Sequence, residues 1–295
     1  MRSSYEICGR GVIMGIAFDD LEAVRPPSGN NLLVVDGLNL AFRWKHSCGS
    51  VDMEAYLSTI ESLAKSYGAG HIVILTDFKR STYRTKLYPE YKGNRRAKYG
   101  EQTKEEEEAF LLFLDTYNAA LEWCAKKYPV IKMKGVEADD IAACICDKFA
   151  KNFKHTWLIS SDRDWDLLIA ENVSRFSYIT RKEITYESWD LHYPGIEMDK
   201  YIDFKVLDGD MGDNVPGIPL IGPVRAKKLL DEYGSAFDIA DAIPIPGKAQ
   251  YIKNLNAGRD QLLLNFELMD LKTYCWEALG SEFKEELYEI FSKIK

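Results

Sequence analysis

The sequence predicts an α/β domain with a mostly parallel central sheet and helices on both faces, followed by a smaller helical region. Short apolar runs alternate with amphipathic segments as far as about residue 189, and helical patterns dominate after it. Several of the apolar runs end in an acidic residue. Alternating strands and helices indicate a parallel sheet, because parallel strands are joined by helical crossovers. The chain of 295 residues is long enough for one large domain or two smaller ones.

Four predicted strands are short and almost wholly apolar, which is typical of strands buried on both faces of a sheet. They are LLVVD (32–36), HIVILTD (71–77), PVIKM (129–133) and HTWLISSD (155–162). VSRFSYI (173–179) and KEITY (182–186) are predicted as a further strand pair. Helices are predicted at residues 53–67, from about residue 105, in KGVEADDIAAC (134–144), and near the C-terminus at 261–271 and 282–294.

Residues 1–30 are predicted to be a loose extension. The apolar patch VIMGIAF contains Gly15 and leads into Asp19 and Asp20, which makes a poor secretory signal. RPPSGNN (25–31) is typical of a tether. No apolar run approaches the length of a membrane span, and no membrane contact is expected. The six cysteines show no zinc spacing and are interpreted as reduced thiols of a cytoplasmic protein.

The distribution of charge is more informative than the net charge of −8. An acidic chain argues against a nucleic-acid partner. Residues 79–100, however, contain eight basic residues and one acid, Glu90. The basic residues are Lys79, Arg80, Arg84, Lys86, Lys92, Arg95, Arg96 and Lys98. A solvated face remains the alternative for the residues at the two ends of this segment.

Acidic residues follow three of the predicted strands at the point where each strand ends. Asp36, Asp77 and Asp162 each come after the last apolar residue. In open α/β sheets the ligand crevice lies outside the carboxyl ends of the strands, so these carboxylates are expected at one edge.

The acids of GVEADD follow the third strand and are expected at the same edge. They are Glu137, Asp139 and Asp140. The alternative is a helix start, because acids near a helix N-terminus interact well with the macrodipole and Asp is a good cap. A helix start is also the alternative for Asp162 and Asp164, which would be the cap and a first-turn acid of the next helix. A carboxylate can cap a helix and bind a metal ion at the same time, so the two interpretations are compatible.

So many carboxylates at one edge favour a bound metal. Two carboxylates about 4 Å apart repel by about 4 kcal/mol at an effective dielectric constant of about 20. Six or more would cost a large share of a domain stability of about 5–15 kcal/mol, unless they take up protons or hold divalent cations. Oxygen ligands without paired His or Cys favour Mg²⁺ or Mn²⁺. Beside a basic segment, this predicts metal-assisted attack on a phosphodiester.

Five segments together resemble the 5′-nuclease family, which comprises flap endonucleases and 5′–3′ exonucleases, and most of all its compact tailed-bacteriophage members. The segments are VVDGLNLAFR, LTDFKRSTYRTKLYPEYKGNR, GVEADDIAA, WLISSDRDWDLL and GDMGDNVPGIPLIGPVRAKKLL, all between residues 32 and 230. The resemblance implies a PIN-like nuclease core at 31–190 with a helical arch at about 79–108. It also implies a helical DNA-binding region with a helix–turn–helix element at 191–295.

The resemblance implies two divalent ions, Mg²⁺ or Mn²⁺, in two neighbouring sites. The first group of ligands is Asp36, Asp77, Glu137, Asp139 and Asp140, and the second is Asp162, Asp164, Asp210 and Asp213. Asp139 and Asp162 are candidates to bridge the two sites. Asp210 and Asp213 belong to GDMGD, which also has the composition of a simple turn.

The foot of the implied arch contains the candidate catalytic cations. Lys92 and Arg95 are three residues apart, so on a helix they share a face and both reach a phosphate. Their implied role is to stabilise negative charge in the transition state. Tyr91 either stacks on an exposed base or packs inside the protein, and both alternatives stay open.

The implied helix–turn–helix element is VPGIPLIGPVRAKKLL. Gly217 and Gly222 let the chain turn tightly, amides near Gly222 meet a phosphate, and Lys227 and Lys228 follow in the helix. Family members can hold a K⁺ ion on carbonyls of this turn. This chain departs from the family pattern, because Pro219-Leu220 stands where a glycine is common.

Arg43 and Lys45, with His46, follow the first strand in LAFRWKH and by resemblance face DNA. The alternative is a surface helix end, where basic residues are favoured by the dipole.

These observations predict a monomeric, metal-dependent nuclease that cuts DNA at 5′ flaps and junctions and from 5′ ends, in replication or repair. If the chain is of phage origin, it would act in the host cytoplasm. Two alternatives remain at this point: a DNA-junction-binding protein that does not cut, and a ribonuclease H-like enzyme that removes primers on the same fold.

Overall fold

A computed structural model describes residues 29–95 and 102–294. Its six-stranded sheet has the order β3-β2-β1-β4-β5-β6. The strands are β1 (Asn31–Asp36), β2 (Ala69–Leu75), β3 (Val130–Ile131), β4 (His155–Ile159), β5 (Val173–Ser177) and β6 (Lys182–Ile184). The first five are parallel and β6 is antiparallel to β5. The predicted α/β class with a mostly parallel sheet is confirmed.

Helices cover both faces of the sheet because its central strands are apolar on both sides. Leu33 and Val35 of β1 pack under α1 (Gly37–Ser47), α2 (Met53–Ser66) and α4 (Lys104–Ala125). Leu32 and Val34 pack on the other face with α5 (Ala138–Lys148). Neighbouring side chains of a strand point to opposite faces, so one apolar run supplies two cores.

The helices begin where the sequence provides caps. α3 (Thr82–Leu87) begins after Ser81, whose side chain accepts a hydrogen bond from the Arg84 amide. The start of α4 is a capping box, in which Thr103 and Glu106 satisfy each other's backbone amides. A short α6 (Trp189–His192) follows the sheet.

The C-terminal helical region has a core of its own. It contains α7 (Tyr201–Asp208), α8 (Pro223–Tyr233), α9 (Ala236–Ala242), α10 (Gln250–Ala257) and α11 (Arg259–Met269). A two-stranded ribbon of β7 (Gly209–Asp210) and β8 (Val215–Pro216) follows α7. The last helices, α12 (Leu271–Leu279) and α13 (Ser281–Lys293), return to the nuclease sheet, where Cys275 and Phe291 join the core around Leu158.

The predicted divisions at residues 30 and 190 stay predictions. Residues 1–28 of the predicted extension, and Arg96 and Lys98 of the predicted arch, lie outside the described residues. Cys124, Cys144, Cys146 and Cys275 are free thiols, in line with the interpretation of reduced thiols. Among the described helices, none combines the length and apolarity needed to cross a bilayer.

Candidate metal and nucleic-acid site

The site begins at the junction of β1 and β4, the neighbouring central strands. From β1 the chain continues to β2 on one side of the sheet, and from β4 it continues to β5 on the opposite side. This change of direction leaves a crevice at the carboxyl ends of β1 and β4. Asp36, the last residue of β1, caps α1 by accepting a hydrogen bond from the Asn39 amide at 3.2 Å. It also accepts one from the Ser160 hydroxyl at 2.7 Å. Burial, assisted by the charges of Asp77 and Asp162, raises the pKa of Asp36 to about 7.

Asp77 and Asp162 lie at the exposed mouth of this crevice. Asp77 accepts a hydrogen bond from the Ala138 amide at 2.7 Å, which holds it against the start of α5. Asp162 caps the 3₁₀ turn Arg163–Leu168 by accepting from the Asp164 amide at 2.9 Å. Desolvation by the surrounding protein and the charge of Asp164 raise the pKa of Asp162 to about 6. Asp162 therefore both caps the 3₁₀ turn and belongs to the acidic cluster, two roles that are compatible in the sequence analysis.

Two acids at the start of α5 face the crevice. Asp139 accepts a hydrogen bond from the Trp165 indole at 2.6 Å. Burial and the charge of Asp162 raise the pKa of Asp139 well above its usual range, so these two carboxylates lie close enough to repel. Burial opposes ionisation of Glu137, but the charges of Lys92 and Arg84 outweigh it and lower the pKa of Glu137.

Asp140 differs from the other predicted ligands, and the structure corrects its expected position. The side chain is fully buried, and both of its oxygens accept hydrogen bonds from the Arg84 guanidinium, at 2.6 and 2.8 Å. It points into the protein because successive residues of the first helical turn point in different directions, and Asp139 takes the direction of the crevice. Asp140 is thus the partner of a buried cation.

The acids of the second predicted group also converge. Oxygen atoms of Asp164, Asp210 and Asp213 lie within 4.8 Å of one another, a spacing that can hold a cation. Asp210 accepts from the amides of Gly212 at 2.7 Å and Asp213 at 3.2 Å, in the turn between β7 and β8. GDMGD is therefore both a turn and part of the cluster. Burial and the neighbouring Glu137 raise the pKa of Asp213, although Lys92 opposes this shift.

Lys92 lies between the two groups of acids. Its ammonium is buried, 2.7 Å from Glu137 and 3.5 Å from Asp213. These carboxylates overcome the cost of burial and raise the pKa of Lys92. Lys92 has a positive φ of 54° and lies in a turn, so the expected helical face shared with Arg95 is wrong. The two cations nevertheless converge on one acid, since Arg95 donates to Asp213 at 2.8 Å.

Tyr91 is packed inside the protein, which is one of the two alternatives that the sequence left open, and its burial does not fit the other, stacking on an exposed base. The side chain is only 3% exposed. Its hydroxyl lies 3.0 Å from Glu137 and 2.9 Å from Asp213, so it bridges the two groups of acids.

The predicted helix–turn–helix element corresponds to β8, the following turn and α8. Gly217 is required by packing, because a Cβ there would lie 2.0 Å from the Asp208 carbonyl oxygen. Gly222 precedes α8 and has open space around it, as an approaching phosphate requires. Lys227 pairs with Asp231 at 2.8 Å one turn along the helix, and Lys228 is exposed.

Two carbonyl groups of this turn, those of Leu220 and Pro219, already accept hydrogen bonds from other side chains. The Leu220 carbonyl accepts a hydrogen bond from the guanidinium of Arg225, which also lies 4.9 Å from the Tyr251 ring. The Pro219 carbonyl accepts from the Asn254 side chain at 2.9 Å. The guanidinium bound to the Leu220 oxygen would repel a K⁺ ion placed there.

Arg43 and Lys45 lie on the surface of α1 beside aromatic side chains. The Arg43 guanidinium donates to the Tyr178 hydroxyl and lies 4.9 Å from its ring. The Lys45 ammonium lies 4.4 Å from the Phe110 ring. These contacts leave both the DNA-facing interpretation and the surface-helix alternative open.

Two cations of the site were not predicted. Lys205 of α7 donates to Asp164 at 2.6 Å, and nothing in the local sequence YIDFKVLD marks it, because the contact joins residues 41 positions apart. Arg84 was counted among the charges of the arch, whereas it is buried under the acids. The available signal is that Leu87 and Tyr88, three and four positions after Arg84, lie on the same side of the helix.

Such an arrangement defines a class of protein: hydrolases of phosphate esters in which oxygen ligands hold divalent metal ions beside a fixed cation. Two family models narrow this class. The model described as "5'-3' exonuclease, N-terminal resolvase-like domain" matches residues 31–193, and "5'-3' exonuclease, C-terminal SAM fold" matches residues 196–283. The chain belongs to the 5′–3′ exonuclease family and is a nuclease.

Known relatives agree with this family. The flap endonuclease of Escherichia phage T5 is 40% identical over 281 residues, which cover 92% of this chain and 97% of that protein. The flap endonuclease Xni of Shewanella woodyi is 28% identical over 251 residues, 83% of this chain and 94% of that protein.

Solved structures of the phage T5 enzyme share the fold. Its pseudo-enzyme–product complex with DNA and metal ions superposes with a TM-score of 0.84 at 40% identity, over 90% of this chain and 97% of that one. The T5 5′-exonuclease with bound zinc gives the same TM-score at 41% identity, over 90% and 98%. Divalent metal ions are thus bound in homologous structures.

Proposed function

We propose that the chain is a structure-specific 5′ nuclease that hydrolyses DNA phosphodiesters at 5′ flaps and junctions and from 5′ ends. The observation that carries the proposal is the convergence of carboxylates from five separate segments on one crevice that also contains a buried lysine. Family membership supports the reaction class, and the flap and DNA names of the relatives support the substrate.

We infer two divalent ions, Mg²⁺ or Mn²⁺, as the cofactors. Burial first, and repulsion among neighbouring acids second, raise the pKa values of Asp36, Asp139 and Asp162, and divalent cations would favour the ionised carboxylates. The proposed ligands of the first ion are Asp36, Asp77, Glu137 and Asp139, and those of the second are Asp162, Asp164, Asp210 and Asp213. The chemistry that such ions supply is activation of the attacking water and stabilisation of the leaving 3′ oxygen. K⁺ is not part of the proposal.

Lys92 and Arg95 are the proposed catalytic cations. The raised pKa of Lys92 keeps it protonated at neutral pH, so its role is to stabilise charge and not to accept a proton. Glu137 and Asp213 hold its ammonium in place before substrate arrives, which avoids reorganisation during the reaction. Arg95 is more exposed and is suited to meet the phosphate first.

The proposed DNA contacts outside the crevice are the helix–turn–helix element and the basic end of α1. Gly217 and Gly222 shape the turn, and Lys227 and Lys228 supply charge for the phosphate backbone. Arg43 and Lys45 are proposed to extend this surface. The chain is proposed to act as a monomer, and its cytoplasmic location stays a prediction.

The test is cleavage of a labelled duplex that carries a 5′ single-stranded flap. We expect cleavage in millimolar Mg²⁺, none in EDTA, and products with 5′ phosphates. A flap made of RNA on the same junction distinguishes the primer-removing alternative, which requires faster cutting of RNA. Tight binding without cleavage in Mg²⁺ or Mn²⁺ would contradict the proposal and favour the non-cutting alternative.

A further inference from the structure

Arg84 is a buried cation that the proposed reaction does not use directly. Its side chain is 3% exposed, although it belongs to the basic segment. The guanidinium contacts three residues in two separate parts of the chain: Asp140 and Glu137 at the start of α5, and the Leu268 carbonyl near the end of α11. Arg84 itself belongs to α3, at the foot of the arch.

The contact with Asp140 fixes the orientation of the first turn of α5. Two parallel hydrogen bonds, of 2.6 and 2.8 Å, join the planar guanidinium to both carboxylate oxygens. Such a fork defines a plane as well as a distance, and a lysine ammonium cannot reproduce it. Asp139 precedes Asp140 directly, so the fork also sets the direction in which Asp139 enters the crevice.

The contact with Glu137 links Arg84 to the catalytic lysine. One oxygen of Glu137 lies 3.4 Å from Arg84 and the other 2.7 Å from Lys92. Arg84 therefore restricts the rotation of the carboxylate that holds Lys92. The third contact, from the Arg84 Nε to Leu268 at 2.8 Å, ties the same guanidinium to the helical region.

We propose that Arg84 is a positioning residue that holds the acids of α5 and the Lys92 ammonium in register by joining α3, α5 and α11. The inference rests on the proposed function for its kinetic consequence. Its effect on metal binding does not depend on which nucleic acid is cut. Supporting residues of this kind typically contribute about 10- to 100-fold to metal affinity or activity.

The first experiment compares Arg84→Lys and Arg84→Met with the parent protein. We expect both variants to bind Mn²⁺ about 10-fold or more weakly by calorimetry, and to lower kcat on a flap substrate by about 10- to 100-fold. DNA affinity in EDTA should change less than threefold. Lys86→Met, which removes an exposed cation from the same helix, is the matched control for metal binding and should leave the Mn²⁺ affinity unchanged.

A second variant separates positioning from stability, because removing one partner of a buried ion pair destabilises a protein. In Arg84→Met/Asp140→Leu both charges are absent, so the melting temperature should return towards that of the parent. The proposal predicts that Mn²⁺ affinity and kcat stay low in this double variant. The proposal would be overturned if Mn²⁺ affinity and kcat of the double variant recovered together with its melting temperature. It would also be overturned if Arg84→Met folded and bound Mn²⁺ with the affinity of the parent. If the parent cuts no flap, the proposed function fails, and the Mn²⁺ titration still tests Arg84.

Discussion

Replacing Asp36 with Asn should stabilise the metal-free protein while abolishing cleavage. Asp36 is 8% exposed and repelled by Asp77 and Asp162. The two hydrogen bonds end on different oxygens of Asp36, so the single oxygen of an asparagine can accept from the Asn39 amide, while its NH2 group takes the other position and donates to the Ser160 hydroxyl oxygen. The substitution therefore removes a buried charge and the capacity to bind a cation, and it reverses the direction of one hydrogen bond, the one with Ser160.

The magnitude follows from the pKa of Asp36, which rises from 3.8 to about 7 on folding. At about 1.4 kcal/mol per pKa unit, the charged form destabilises the folded chain by up to about 4 kcal/mol. Because the pKa of Asp36 is higher in the folded chain than in the unfolded chain, the folded chain is not penalised below about pH 4, where Asp36 is protonated in both states. The penalty grows as the pH rises and is complete above about pH 7, where Asp36 is charged in both states. Asp36→Asn should thus match the parent near pH 4 and exceed it by about 2–4 kcal/mol at pH 8 in EDTA.

Urea unfolding in EDTA at several pH values measures this difference, and flap cleavage in Mg²⁺ measures the functional loss. Asp52→Asn is the control, because Asp52 caps α2 in the same way but is exposed. Millimolar Mg²⁺ should stabilise the parent by mass action and stabilise Asp36→Asn less, because only the first of the two proposed ion sites loses a ligand. A variant that is less stable than the parent at pH 8 in EDTA, or that still cuts, would refute the electrostatic reasoning.

Three other substitutions or conditions test separate parts of the account. Lys92→Ala should lower kcat by about 10²- to 10³-fold and change the DNA Kd less than threefold; unchanged turnover would remove Lys92 from the mechanism. Asp162→Asn should abolish cleavage and leave junction binding intact, with Asp52→Asn as the cap-matched control; unfolding of Asp162→Asn alone would instead support a purely capping role. The Arg225 guanidinium already binds the Leu220 carbonyl. DNA affinity, measured by fluorescence anisotropy, should therefore be equal in KCl and in NaCl of the same ionic strength. Clearly tighter binding in KCl would instead support a K⁺ site in this turn.

The central sheet and the acidic edge could be predicted because local patterns determine them. Apolar runs of strand length, separated by helical segments, specify parallel strands, and an acid after three of these runs marks the carboxyl end. Asp36, Asp77 and Asp162 follow from this rule without knowledge of any long-range contact. Asp210 and Asp213 did not follow from it, since GDMGD has the composition of any turn and only the resemblance to the family indicated it.

The partners of the acids could not be predicted, because they depend on contacts between residues distant in the sequence. Arg84 reaches Asp140 across 56 positions, and Lys205 reaches Asp164 across 41. Charge counting alone assigns Arg84 to a solvated surface, whereas the folded chain buries it. Tyr91 shows the same limit, since a tyrosine beside two cations suits both a base platform and a packed bridge.

Crystals grown or soaked with Mn²⁺ provide the most direct test of the central claim, that divalent cations hold these carboxylates together. Anomalous scattering locates Mn²⁺ independently of any assumption about ligands. The account predicts two peaks in the crevice, one among Asp36, Asp77, Glu137 and Asp139 and the other among Asp162, Asp164, Asp210 and Asp213. An ordered crevice without an anomalous peak at saturating Mn²⁺ would contradict it.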